Sequence, residues 1–136
     1  MLFLLDTNVL IEIRRNNRIV LKQLLSHSPT EMCYSVISMG EIHKGLIQQP
    51  PGKAATLWEQ WRGLLGPFTP INFTASAAVL WGQLLHTTRK QPIGPRDLLI
   101  AATALADGMT VVTHNVKEFE RITPLMLEDW QDNSSF

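Results

Sequence analysis

The chain of 136 residues contains a single cysteine, Cys33, so no disulfide can form within it. One cysteine suits a reducing, cytoplasmic compartment, and its place in the apolar run MCYSVI makes Cys33 a buried packing residue. Long hydrophobic runs are also missing: none approaches the roughly 18 apolar residues that a membrane span requires. Met1 to Leu5 is too short for a signal-peptide core and lacks a basic flank, so it is expected to stay in the mature protein. Net charge is absent too, with 12 Lys and Arg against 12 Asp and Glu. That balance argues against coating nucleic acid by bulk charge, but it allows local basic strips such as Arg14, Arg15 and Arg18, or Arg89, Lys90 and Arg96. Repeats, linkers and low-complexity segments are lacking. One domain over residues 1–136 is expected, with the tail 132–136 frayed.

The stretch that organises the rest is MLFLLDTNVLIEI. Five apolar residues end at Asp6, and apolar residues then resume at helical spacing. A short continuous apolar run is the pattern of a strand buried on both faces, as in a parallel sheet. Asp6 therefore stands where a strand ends and a helix begins, the edge at which open α/β sheets bind ligands.

The alternation continues. Helices are predicted from Thr7 or Asn8, after Asn17, from Ser35 to about Gln48, over 53–65, from Thr74 to about Lys90, and from Pro95 to about Ala106. Strands are predicted at Met32 to Val36, Phe68 to Phe73, Met109 to Thr113 and Leu125 to Leu127. Ser35 and Thr74 suit helix N-caps, Pro95 a first helical position, and Gly108 a left-handed stop. Pro70 marks its strand as an edge. The fold class that follows is α/β: a small parallel sheet flanked by helices on both faces.

Four acids fall near the predicted strand ends. Asp6 reads either as a helix cap or as part of a site. Glu41 borders the apolar face of its helix, and Asp97 leads into the nearly all-apolar LLIAATALA. Asn115 and Glu118 fit a capping box as well as a site. Each acid alone has a structural explanation. Together they would place four oxygen donors at one sheet edge, which is what a hard divalent cation takes. Two carboxylates about 5 Å apart repel by roughly 3 kcal/mol at an effective dielectric of about 20, so such a cluster wants a cation.

LLDTNVLIE, SVISMGEIHKG, RDLLIAATALADG and VVTHNVKEFERI, in that order, resemble the PIN-domain ribonucleases, and most closely the VapC and FitB toxins. The resemblance implies a metal-dependent endoribonuclease, the toxin half of a toxin–antitoxin pair. It implies Asp6, Glu41 and Asp97 as the main ligands of Mg²⁺ or Mn²⁺, with Glu118 as the fourth. Family members differ in which residue of that last segment reaches the metal. Thr7, Asn8, Ser38, Thr113 and Asn115 would orient ligands or substrate, while Arg14, Arg15, Arg18 and Arg96 would meet RNA phosphates. The resemblance further implies a homodimer held in check by a cognate antitoxin. Trp58 and Trp61 read as core, or alternatively as a surface for one of those partners.

Two other enzymes are set aside by spacing. A haloacid-dehalogenase-like phosphatase needs a second aspartate where Asn8 stands, and a response-regulator receiver needs an acidic pair and a late lysine. The remaining alternative is a PIN fold kept as a partner-binding module without catalysis.

Overall fold

Phe3–Leu5 form β1, and the three residues are fully buried because the sheet is covered on both sides. The computed structural model describes residues 1–131; the tail 132–136, expected to fray, lies outside the described residues. The other strands are β2 (Met32–Ser35), β3 (Thr69–Ile71), β4 (Thr110–Val112) and β5 (Met126–Glu128). All pair in parallel, in the order β3-β2-β1-β4-β5. β1 is thus central, and Pro70 sits on an edge strand, where its missing N–H costs no ladder bond.

Among the described residues seven α-helices connect the strands: α1 (Thr7–Arg14), α2 (Arg18–Leu25), α3 (Val36–Ile47), α4 (Pro51–Leu65), α5 (Ala75–Thr87), α6 (Pro95–Asp107) and α7 (Val116–Phe119). The pleat divides the core in two. Phe3, Leu5, Met32, Tyr34 and Val112 point to one side, where they meet α1, α3, Trp61 and Trp130. Leu4, Cys33 and Val111 point to the other, against α6, Leu84 and Phe119. Cys33 is buried and free, in keeping with its apolar setting. Trp61 is core and Trp58 packs partly buried against it.

Most helix ends follow local chemistry. Ser35 Oγ accepts from the Ile37 and Ser38 amides, Thr74 Oγ1 from the Ala77 amide, and Gly108 closes α6 with φ 64°. Two details differ from expectation. α4 begins at Pro51 rather than at Lys53, because proline suits a first helical turn as well as it ends the previous helix. The apolar face of α2 is narrower than its sequence implies: Val20 is buried, but Leu25 is 81% exposed. Among the described residues no helix is long and apolar enough to cross a membrane.

Candidate active site

At the carboxyl end of β1, the Asp6 backbone N–H still bonds to Val112 O at 3.0 Å, so the residue is tied into the sheet as the chain turns into α1. Its side chain does two things. Oδ1 caps α1 by accepting from the Val9 amide at 3.0 Å, and Oδ2 accepts from the Thr113 hydroxyl at 2.5 Å. The cap reading of Asp6 is therefore correct, and the residue lines a cleft as well. Burial pushes the Asp6 carboxyl above the ordinary range, against the pull of Thr113 and of the Val9 and Asn8 amides.

Glu41 enters from α3. Thr7 Oγ1 is bonded at 2.8 Å to Ser38 Oγ and at 2.8 Å to Glu41 Oε1, which links the start of α1 to α3. The other Glu41 oxygen accepts from Arg96 Nη1 at 2.9 Å. Both carboxylate oxygens are thus engaged, one by a neighbouring helix and one by the first turn of α6.

Asp97 lies beside Arg96 on that turn. Its Oδ2 accepts from the Asn115 amide at 3.0 Å, and the same amide reaches Glu118 Oε2 at 3.2 Å. The capping box, one of the two readings of Asn115 and Glu118, is absent: Asn115 makes no side-chain cap to α7. Its amide N–H group donates to two carboxylates, which fixes the side chain away from the α7 amides, and its backbone N–H, which a capping box would give to Glu118, goes to Thr113 Oγ1 instead. Burial, the charge of Asp6 and the neighbouring Glu118 push Asp97 up to about 6, and the Asn115 bond offsets part of the rise. His114 points elsewhere and pairs with Asp129 at 3.1 Å.

One cleft of about 230 Å³ is lined by Asp6, Thr7, Asn8, Glu41, Arg96 and Asp97, together with Gly94, Pro95 and Ile100. Glu118 reaches it through Asn115 and Asp97. The arginines of α1 and α2 separate. Arg14 lies over Trp61, 5.4 Å from the ring centroid, and lines a cavity with Ile13, Leu21 and Leu64. It is not brought to the cleft, because at 100° per residue it follows the buried Ile13 around α1. Arg15 falls with Asn8, Ile11 and Glu12 on the opposite stripe and borders a groove shared with His114 and Asn115. Arg18 opens α2 on the surface.

The resemblance implies an orienting role for Thr113, but its two bonds are not legible in the sequence. It is fully buried, donates to Asp6 and accepts from the Asn115 N–H at 3.0 Å. Thr113→Val keeps the shape and removes both bonds, so a partly buried N–H and a buried carboxylate each lose a partner. Urea denaturation should show a loss of about 1–3 kcal/mol. A loss below about 0.5 kcal/mol would mean that water replaces the hydroxyl without cost.

A parallel sheet with a carboxylate-walled cleft at the carboxyl end of its central strand, where the chain crosses from one side of β1 to the other, defines a site of the PIN type. The PIN domain matches residues 3–123. The chain is 31% identical to the tRNA(fMet)-specific endonuclease VapC of Shigella flexneri, with 94% of this chain and 97% of that one covered. It is 33% identical to ribonuclease VapC1 of Haemophilus influenzae strain R2866, over 96% and 98%. The solved structure of VapBC2 from Rickettsia felis, bound to a DNA fragment from its promoter, superposes with TM-score 0.86 at 28% identity, covering 96% and 99%. The protein belongs to the PIN-domain family, and within it to the VapC group.

Proposed function

We propose that this protein is a metal-dependent endoribonuclease, the toxin of a toxin–antitoxin pair. The observation that carries the reading is the facing of Asp6, Glu41 and Asp97 into one cleft from three different elements. The similarity to VapC ribonucleases and to VapBC complexes supports the activity and a protein antitoxin as partner. A homodimer and a cytoplasmic location go with that reading.

The donor set suits Mg²⁺ or Mn²⁺. Every polar ligand offered is oxygen, burial together with the charges of Asp6 and Glu118 raises Asp97 to about 6, and His114 is turned away onto Asp129. Among the described residues no three side chains already stand as a finished metal cage, which is consistent with Glu41 being drawn onto Arg96. Asp6, Glu41 and Asp97 would hold the cation, with Glu118 as the fourth donor. The chemistry it supplies when bound is activation of a water and neutralisation of charge on the attacked phosphate and leaving oxygen.

The protein's own part is orientation. Val9 and Thr113 fix both oxygens of Asp6, Thr7 and Ser38 set the rotamer of Glu41, and Asn115 ties Asp97 to Glu118. Asn8 stands on the cleft wall, open to substrate. Arg96, on the cleft wall, and Arg15, along the adjoining groove, would meet phosphates.

The test is cleavage of total RNA by purified, antitoxin-free protein in Mg²⁺, Mn²⁺ or EDTA, beside Asp6→Asn. Discrete cuts that need the cation and vanish in the variant are expected. No cutting by folded protein in either cation would instead identify a partner-binding module.

A further inference from the structure

Arg96 and Glu41 are 55 residues apart in sequence, yet a 2.9 Å bond joins them, and both line the cleft. The two ends are unequally fixed. Glu41 has a side chain 20% exposed and is held by Thr7 as well, whereas the Arg96 side chain is 65% exposed. No other hydrogen bond or ion pair of Arg96 accompanies this one among the described residues. Arg96 is also the cationic residue in a cleft wall that carries Asp6, Glu41 and Asp97.

The same carboxylate oxygen cannot serve Arg96 and a divalent cation equally well. A cation at Glu41 competes for that oxygen and repels the guanidinium. An exposed ion pair of this kind shifts an equilibrium by no more than about fivefold, so its release is easy. Once released, Arg96 remains at the cleft with a planar fork of donors, a geometry matched to a phosphate.

We infer that Arg96 is an exchange residue: it neutralises Glu41 in the cation-free protein and passes to a backbone phosphate of the nucleic acid when a cation takes Glu41. Loading of the cation and capture of the substrate then reinforce each other through one side chain, and by linkage the reinforcement is reciprocal. The inference rests on the nuclease reading above and adds to it a coupling between its two ligands.

The experiment is binding rather than turnover. Mn²⁺ is titrated calorimetrically into wild type, Arg96→Ala and Arg96→Lys. A single-stranded DNA dodecamer of thymidine, which presents the phosphates without being the substrate, is then bound with and without Mn²⁺. Removing the competitor should tighten Mn²⁺ binding in Arg96→Ala by up to about fivefold. Arg96→Lys keeps the positive charge and should return the Mn²⁺ affinity toward wild type. Mn²⁺ should strengthen dodecamer binding to wild type and do so much less in Arg96→Ala, whose affinity should also fall less steeply with salt, by about one phosphate contact. Opposite signs for the two ligands are the signature, since a merely structural arginine would weaken both or neither. Mn²⁺ binding that is unchanged or weaker in Arg96→Ala overturns the exchange while leaving the nuclease reading intact. Absence of Mn²⁺ binding in wild type and variants alike overturns that reading, and the exchange with it.

Discussion

Replacing Asp97 with asparagine should reduce RNA cleavage to background and, in cation-free buffer at pH 7.5, raise the melting temperature by about 4 °C. Asparagine keeps an oxygen for the Asn115 amide but removes a charge from between Asp6 and Glu118. The folded-state value of about 6 for Asp97 lies above the unfolded value of 3.8, so the folded protein holds this proton more tightly. The stabilisation is complete below the unfolded value and is lost as pH rises through about 6. At pH 7.5 wild type carries the whole cost of the ionised form, and at pH 4 it carries little. A rise of that size would correspond to about 3 kcal/mol for a sealed group, and to about 1 kcal/mol for a partly buried one screened by water. The two proteins should therefore differ in stability at pH 7.5 and converge near pH 4. An apo variant that melts several degrees lower than wild type at pH 7.5 would make Asp97 a structural residue and undo the case for repulsion.

The second large effect is removal of the cation. EDTA should bring cleavage by wild type to background, and Mg²⁺ or Mn²⁺ in excess should restore it. The same titration has a reading independent of activity. A cation present at about 100 times its dissociation constant stabilises the native state by about 2.7 kcal/mol if it binds only the folded form. Wild type should melt higher in Mn²⁺ than in EDTA, and Asp97→Asn should lose most of that increment. Cleavage that survives EDTA in wild type, yet disappears in Asp6→Asn, would point to acid–base chemistry by the carboxylates themselves.

Much of this architecture is written locally. The apolar run before Asp6, the serine at position 35, Pro95 and Gly108 each act on their own few residues, and each produces the element end expected of it. Asp6, Glu41 and Asp97 can be gathered from sequence because each follows a strand or a turn on one side of the sheet. The rest depends on which way a side chain turns after packing. Asn115 has the spacing of a cap, and the arrival of α6 adds the Asp97 carboxylate, which shares its amide with Glu118. Arg14 and Arg15 are neighbours in sequence and diverge around the helix, one onto Trp61 and the other toward the groove beside Asn8. No periodicity marks the pairing of Arg96 with Glu41, since the two meet only when α3 and α6 flank the same sheet edge.

The central place of β1 has a consequence for timing. Its neighbour β4 comes from the far end of the chain, and the bond that fixes Asp6 joins residues 107 apart. At about 5–20 residues per second, roughly 5 to 20 s of translation separate Asp6 from Thr113. Throughout that interval Asp6 lacks the strand and the hydroxyl that orient it. Long-range parallel pairing then adds its own delay after synthesis. The cell making this protein thus has a built-in grace period, set by topology, before the proposed cutting site is assembled.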